Sequence, residues 1–157
     1  MKKINVILVF LFAVFVFFSC EDKTETPDVT VEGALEDEVF QLVNEYRVSK
    51  GLPELVVNAN ITAECRVHSK NMAIGTVPFG HDGFDARVET LSRQIEGVTG
   101  AAENVLYGAT SAQQAVDLWL NSTGHRENIE GNYSLTGIGV FKAANGDYYF
   151  TQIFLRN

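Results

Sequence analysis

Two strand-like runs near the C-terminal end constrain the fold of this chain most strongly. Residues 136–142 and 148–155 are rich in Ile, Val, Phe and Tyr, residue types that favour β-strands. The five residues between them include Asn145-Gly146, a pair typical of the tight turn in a β-hairpin. The sequence therefore predicts an antiparallel hairpin, which needs an apolar layer against at least one of its faces.

Three upstream segments have apolar residues at helical spacing and can supply that layer. The first spans residues 35–50, the second follows Asn58 or Asn60, and the third follows Thr110, which has the spacing of a capping box with Gln113. Their periodic positions are Leu35, Val39, Leu42, Val43 and Tyr46 in the first, Ile61, Cys65, His68 and Met72 in the second, and Ala112, Ala115, Val116, Trp119 and Leu120 in the third.

Between the second and third helices the pattern is weaker. Residues 84–95 have the spacing of a short helix, and residues 101–107 have the composition of a short buried strand. Several helices around a few strands are typical of a layered α/β domain. We therefore expect residues 35–157 to form a three-layer α-β-α sandwich with a small, mostly antiparallel central sheet.

The N-terminal end indicates export. Two lysines precede an apolar run of thirteen residues, 6–18, which matches a signal-peptide core and is shorter than the ~20 residues of a membrane-spanning helix. Ser19 is followed by Cys20, an arrangement that resembles the cleavage site of bacterial lipoproteins. We predict a lipoprotein signal peptide over residues 1–19 and a lipid anchor on Cys20. The alternative is an uncleaved membrane anchor, which also places the remainder outside the cytoplasm.

Acidic charge is concentrated directly after Cys20. Residues 21–38 contain eight acidic residues against Lys23 alone, and such a composition disfavours a packed core. We assign residues 20–34 to an acidic, flexible tether. Residues 39–157 have 12 acidic and nine basic residues, and this net negative charge argues against a nucleic-acid partner.

Cys65 is the remaining cysteine once Cys20 is lipidated, so residues 35–157 cannot form an internal disulfide. The fold must then depend on packing alone. Cys65 and His68 share the apolar face of the second predicted helix. We interpret Cys65 as a small buried residue and His68 as a hydrogen-bonded core histidine.

Three polar residues are candidates for chemistry. His81 lies in a glycine-containing turn, Glu103 in the predicted strand, and His125 directly after a helix stop at residues 122–124. Imidazoles bind transition metals or exchange protons near neutral pH, and a carboxylate can orient them. A shared site requires the fold to bring these segments together; otherwise each residue has an ordinary place in a turn, a strand edge or a helix start. The sequence contains no GxSxG, Walker, HExxH, CxxC or EF-hand motif.

A series of motifs in a fixed order links these candidates. It consists of A-x-x-x-x-H-S-x-x-M at 63–72, His81, Ala-Glu-Asn at 102–104, W-x-N-S-x-G-H-R at 119–126, I-G-V at 138–140 and Y-x-T-Q at 149–152. In this order and spacing the chain resembles the CAP superfamily, which comprises the cysteine-rich secretory proteins, antigen 5 and the pathogenesis-related 1 proteins, also called SCP-like extracellular domains. The resemblance covers residues 39–157 and is to the disulfide-free bacterial branch.

The resemblance implies an α-β-α sandwich with a cleft lined by two histidines and two glutamates. His81, Glu103 and His125 correspond to three of these positions, and Ser122 stands where the second glutamate is expected. We expect this cleft to be lined by His81, Glu103, Ser122, His125, Arg126 and Asn128.

A divalent metal ion is one candidate ligand of this cleft, although no cofactor is required. His81 and His125 are the candidate ligands for zinc or a similar ion. Catalytic zinc sites commonly have three protein ligands. The absence of the second glutamate therefore argues against a metal-dependent hydrolase.

The resemblance implies an extracytoplasmic binding or interaction module. We expect it to be lipid-anchored in the cell envelope, at the outer membrane or the cell surface, and to take a divalent ion, a lipid, or a glycan or peptidoglycan fragment. The alternative is a hydrolase of peptide or peptidoglycan bonds. In it, Glu103 is the general base for a water held by His81 and His125, and Arg126 or Asn128 steers the substrate.

A third hypothesis gives the polar cluster a structural role. In this hypothesis Arg126 pairs with Asp82 or Asp85, and the cluster stabilises the loops without binding a ligand.

Overall fold

A four-stranded sheet forms the middle layer of residues 30–157, the part of the chain that the computed structural model describes. Its strands are β1 (Val56–Val57), β2 (Gly100–Tyr107), β3 (Leu135–Lys142) and β4 (Tyr148–Arg156), in the spatial order β1-β3-β4-β2. β1 is parallel to β3, and β2 and β3 both pair antiparallel with β4. The predicted small, mostly antiparallel sheet is confirmed. The predicted signal peptide and Cys20 lie outside the described residues.

The predicted C-terminal hairpin is present as β3 and β4. Its register pairs Thr136 with Phe154 and Lys142 with Tyr148. In the connecting turn Gly146 has a φ of +96°, a conformation that glycine adopts without steric cost. The amide of Ala143 donates to the carbonyl of Asp147 at 2.8 Å and closes the turn.

Helices cover both faces of this sheet. Within the described residues they are α1 (Val31–Ser49), α2 (Ala59–Ala73), α3 (Phe84–Gln94), α4 (Ala112–Asn121) and α5 (Thr123–Glu130). The predicted three-layer α-β-α sandwich is therefore confirmed. Within residues 30–157 no helix has the length and apolar character needed to cross a membrane.

Two helix starts differ from the prediction. α1 begins at Val31 because the hydroxyl of Thr30 accepts a hydrogen bond from the amide of Gly33 at 3.1 Å and satisfies a free N–H group of the first turn. Residues 31–34, which we assigned to the flexible tether, are therefore helical. At α4, Ser111 rather than Thr110 is the N-cap, and its side chain accepts from the amide of Gln114.

One face of the sheet packs closely against α2. A Cβ atom on Gly137 would lie 2.3 Å from the backbone of Thr62, and one on Gly139 would lie 2.1 Å from the backbone of Arg66. Glycine at both positions lets the helix approach the strand. Cys65 is fully buried in this layer, and burial raises the pKa of its thiol. The interpretation of Cys65 as a small buried residue is thus confirmed.

The opposite face of the sheet packs against α1, α4 and α5. Trp119, Phe150 and Phe154 are fully buried in this core. The chain leaves the helical conformation at Ser122 alone, which has φ −96° and ψ 123° and separates α4 from α5. Thr123 and Gly124, which we predicted to be part of the helix stop, instead begin α5. This break directs α5 toward the edge strand β2.

Candidate functional site

Glu103 is the centre of the candidate site. It lies on β2, and its side chain is only 1% exposed. Its carboxylate oxygens accept hydrogen bonds from Nδ1 of His81 at 2.9 Å and from Nε and Nη2 of Arg87 at 2.7 to 3.0 Å. A buried carboxylate is costly unless it is paired and hydrogen-bonded. Both conditions are met here by these two side chains.

Arg87 is the residue of this site that the sequence analysis missed. It extends from α3 and is 11% exposed. Its Nη1 atom donates to the carbonyl of Asp82 at 2.9 Å, in addition to the bonds to Glu103. A signal was present in the sequence, because a carboxylate within the apolar run 101–107 requires a cationic or hydrogen-bonding partner. The sequence did not indicate which arginine supplies it.

His81 lies in the loop between α2 and α3, with 52% of its side chain exposed. A carboxylate can only accept, so Nδ1 of His81 must carry the hydrogen of the bond to Glu103. In the neutral ring the hydrogen is then absent from Nε2, which is available to a ligand. Glu103 therefore fixes both the orientation and the tautomer of His81.

His68 is buried beneath this loop, as predicted for a hydrogen-bonded core histidine. Its Nε2 atom lies 2.9 Å from the carbonyl of Gly80 and 3.9 Å from Oε1 of Glu103. Since a carbonyl only accepts, Nε2 donates to Gly80. Burial lowers the pKa of His68, and the hydrogen bond to Gly80 opposes this effect in part. His68 thus anchors the residue that precedes His81.

The start of α5 is tied to β2 by two asparagines. Asn104 donates from Nδ2 to the carbonyl of His125 at 3.1 Å, and Asn128 donates to Oδ1 of Asn104 at 2.9 Å. Asn128 also donates to the backbone carbonyl of Glu103 at 3.3 Å. β2 is an edge strand, and the last of these bonds reaches one of its backbone carbonyls. The predicted site residue Asn128 therefore positions α5 beside Glu103.

His125 is half-buried at the start of α5. Burial lowers the pKa of its imidazole, and the positive charge of protonated His81 lowers it further. Its backbone is held beside β2 by the bond from Asn104, the residue that follows Glu103. The fold brings His81, Glu103 and His125 to one region around the edge of β2, although they come from a loop, a strand and a helix.

Ser122 and Arg126 form their hydrogen bonds within α4 and α5 rather than with His81, Glu103 or His125. Ser122 caps the junction of α4 and α5, and its carbonyl accepts from the amide of Arg126 at 2.9 Å. The guanidinium of Arg126 donates to the carbonyl of Leu120 at 2.8 Å. Within residues 30–157 Arg126 has no ion pair with Asp82 or Asp85, so the partners named in the structural hypothesis are wrong.

The donor set limits what kind of metal site could form here. Within the described part of the chain, no group of three or more His, Cys, Asp or Glu side chains is arranged to hold a metal ion. The oxygens of Glu103 are already engaged by Arg87 and His81. The two imidazoles therefore remain the candidate ligands, and the donor set does not fit the three-ligand pattern of catalytic zinc.

An exposed aromatic cluster begins two residues before His81. The rings of Phe79 and Tyr107 lie 4.9 Å apart, edge to face, and those of Tyr107 and Tyr149 are stacked at 5.7 Å. About half of the surface of Phe79 and of Tyr107 is exposed. Tyr107 is four residues beyond Glu103 on β2, so both side chains are on the same face of the strand.

Comparison with known proteins identifies the family. The model of the CAP family, described as the cysteine-rich secretory protein family, matches residues 40–154. The chain belongs to the CAP family. The match covers the second half of α1, all of α2, the site itself and most of the C-terminal hairpin, and it confirms the resemblance inferred from the motifs.

Relatives of this CAP domain include bacterial proteins. The chain is 28% identical over 136 residues to the uncharacterized protein YkwD of Bacillus subtilis, with 82% of this chain and 50% of that protein covered. It spans half or less of the length of the curated relatives that it matches.

Solved structures show the same fold. An extracellular protein with an SCP domain from Bacillus anthracis has a TM-score of 0.70 and 30% identity, with 84% of this chain and 44% of that chain covered. An outer surface protein of Borrelia burgdorferi has a TM-score of 0.65 at 16% identity, with 77% and 91% covered. The second likeness concerns the fold alone.

Proposed function

We propose that this CAP domain acts outside the cytoplasm as a binding module, with its ligand at the surface formed by His81, Glu103 and His125. An extracytoplasmic location is supported by the predicted signal peptide and Cys20, and by the similarity to an extracellular SCP-domain protein. In the proposed form, the lipid on Cys20 holds the domain at the cell envelope.

The observation that carries this proposal is the engagement of Glu103. A general base needs a free lone pair directed at the water that it deprotonates. In this site the carboxylate is bound by Arg87 through two nitrogens and by His81 through Nδ1. Glu103 is thus held as an orienting group for an imidazole. This arrangement favours a binding module over the hydrolase alternative.

His81 and His125 are the groups that would contact a ligand. If a zinc or similar divalent ion binds, Nε2 of His81 and the ring of His125 would hold it. Glu103 would orient His81 through the hydrogen bond to Nδ1. Such an ion would supply positive charge to an anionic or carbonyl group of a larger ligand. With two protein ligands, we expect weak, reversible binding.

The aromatic cluster of Phe79, Tyr107 and Tyr149 supports an organic ligand at the same surface. Exposed rings with polar groups at their margin provide stacking surface and hydrogen-bonding capacity together. A glycan-peptide fragment of the cell wall offers both a surface for stacking and groups for hydrogen bonding. We therefore propose a peptidoglycan fragment as the ligand and treat a lipid as the competing outcome.

The test is an NMR titration of the purified, ¹⁵N-labelled protein. Zinc, soluble muropeptides and phospholipid bicelles are added separately, and the muropeptide samples are examined by mass spectrometry afterwards. We expect amide shifts near His81 and His125 with zinc and with muropeptides, and unchanged muropeptide masses. His125→Ala should abolish the zinc response, whereas Glu127→Ala, a change at an exposed position of the same helix, should retain it.

Other outcomes would count against the proposal. New muropeptide masses that disappear with Glu103→Gln would support the hydrolase instead. Shifts with bicelles and none with muropeptides would identify a lipid ligand. A protein that responds to none of the three probes would contradict the module at this surface.

A further inference from the structure

We propose that Arg87 is the positioning residue of this site, and that it holds Glu103 and the His81 loop in a single arrangement. Its effect on ligand binding rests on the proposed function of the His81 and His125 surface. Its effect on the orientation of His81 does not depend on that function. The family match and the motifs do not assign a role to this residue.

The guanidinium of Arg87 joins two separate parts of the fold. Nε and Nη2 bind the carboxylate of Glu103 on β2, and Nη1 binds the carbonyl of Asp82, the residue next to His81. All three nitrogens of one planar group are therefore used. Because the guanidinium is rigid, the position of Glu103 and that of the loop are set together.

The loop also passes close to this guanidinium at Gly83. Gly83 is the N-cap of α3 and has a φ of +77°. A Cβ atom there would lie 3.4 Å from Nη1 of Arg87. A side chain at this position would therefore touch the guanidinium, and the bond to Asp82 lies at the same bend.

Charge explains why this position requires an arginine. The side chain of Glu103 is 1% exposed, and its other neighbours are the imidazoles of His81 and His68. Neutral imidazoles do not balance a buried carboxylate. Arg87 supplies the compensating charge in two directed bonds, whereas a lysine would supply the charge through one nitrogen atom without the planar fork.

The ring orientation of His81 depends on the Arg87–Glu103 pair, because half of the His81 side chain is exposed to solvent. The hydrogen bond from Nδ1 to Glu103 is the contact that selects its ring orientation. The side-chain hydrogen bonds of Arg87 go to Glu103 and to the carbonyl of Asp82, both at the site. Loss of the Arg87 guanidinium should therefore leave the His81 ring without a fixed orientation while the sandwich remains folded.

The test uses Arg87→Lys and Arg87→Gln, with Arg93→Lys as the matched control. Arg93 is on the same helix, is 62% exposed and pairs with Glu89 one turn away. The readouts are the ring ¹⁵N resonances of His81, which report whether Nδ1 carries the hydrogen, and the zinc affinity measured by calorimetry. Circular dichroism verifies folding.

We expect both Arg87 variants to lose the dominant Nδ1–H form of His81 and to bind zinc about tenfold more weakly, as when an orienting partner of a metal ligand is removed. Arg93→Lys should change neither readout. An Arg87→Lys variant with the wild-type His81 spectrum would overturn the proposal. An Arg87→Lys variant that fails to fold would also overturn it, because Arg87 would then be a residue of the folding core.

The two proposals fail in different ways. If the wild-type protein does not bind zinc and Arg87→Lys still changes the His81 tautomer, the proposed ion site is wrong and the positioning role of Arg87 stands. If zinc binds and the tautomer and affinity are unchanged in Arg87→Lys, the binding surface stands and the role of Arg87 is wrong.

Discussion

Nδ1 of His81 lies 2.9 Å from Oε1 of Glu103, although the two residues are 22 positions apart in the sequence. The histidine comes from an exposed loop, and the glutamate from a buried strand at the edge of the sheet. Their contact joins the α2–α3 loop to β2 and gives the half-exposed imidazole a defined orientation.

Replacing Glu103 with glutamine should destabilise the domain. The change leaves the largely buried guanidinium of Arg87 without its carboxylate, and breaking a buried ion pair by removing one partner typically costs about 3 kcal/mol. Chemical denaturation would measure the loss. Glu89→Gln, which removes an exposed partner of Arg93, should change the free energy of unfolding by under ~0.5 kcal/mol. Equal stability of Glu103→Gln and the wild type would mean that the Arg87 pair contributes little.

Gly139→Ala should weaken the packing of α2 on the sheet. The added Cβ would lie 2.1 Å from the backbone of Arg66, so the helix or the strand must move. Such overpacking typically costs about 1–3 kcal/mol, and occasionally more. The control is Gly124→Ala in α5, where the Cβ meets no atom within 4 Å and alanine favours the helix by up to ~1 kcal/mol. The midpoint temperature of thermal unfolding should increase in the order Gly139→Ala, wild type, Gly124→Ala. The reverse order would contradict the close approach of α2 to β3.

Stability should decrease as the pH falls below about 6.5, the ordinary pKa of histidine. Burial lowers the pKa of His68 in the folded state, so the unfolded chain binds a proton at this residue more readily. Stability from His68 is therefore complete above the unfolded pKa and is lost progressively below it. Denaturation of His68→Gln at about pH 7.5 and about pH 5.5 should show a smaller difference than the wild type. An equal difference would assign the pH dependence to other groups, such as His125.

Cys20→Ser should separate the lipid-anchor prediction from its alternative. If the lipid on Cys20 holds the protein at the envelope, the variant should leave the membrane fraction and lose incorporation of a labelled fatty acid. Retention of Cys20→Ser in the membrane fraction would instead indicate that the apolar run 6–18 serves as an uncleaved anchor. Immunoblotting of the fractionated cells distinguishes the two results.

Local sequence patterns predicted most of the secondary structure. The apolar residues of α1, α2 and α4 recur at helical spacing, and the Asn145-Gly146 pair marks the turn of the hairpin. Each of these signals depends on residues within a few positions of one another. The first residues of the helices were less well predicted, because single capping bonds such as that of Thr30 decide where a helix begins.

The candidate site was predicted in part. His81, Glu103 and His125 were selected by residue type and by resemblance to the CAP superfamily, and the fold brings them together. Arg87 was missed because its partner is on another element, sixteen residues away. The position of His68 beneath Gly80 likewise depends on how α2 packs against the loop.

The sequence by itself determined the sandwich, the family and the three polar residues, since periodicity, turn pairs and motifs are properties of the linear chain. Only the tertiary structure decided that Glu103 is buried and bound by Arg87, and that this pair orients His81. The physical reason is that burial and charge pairing depend on neighbours in space. A glutamate within an apolar strand has no defined role until the partner that compensates its charge is known.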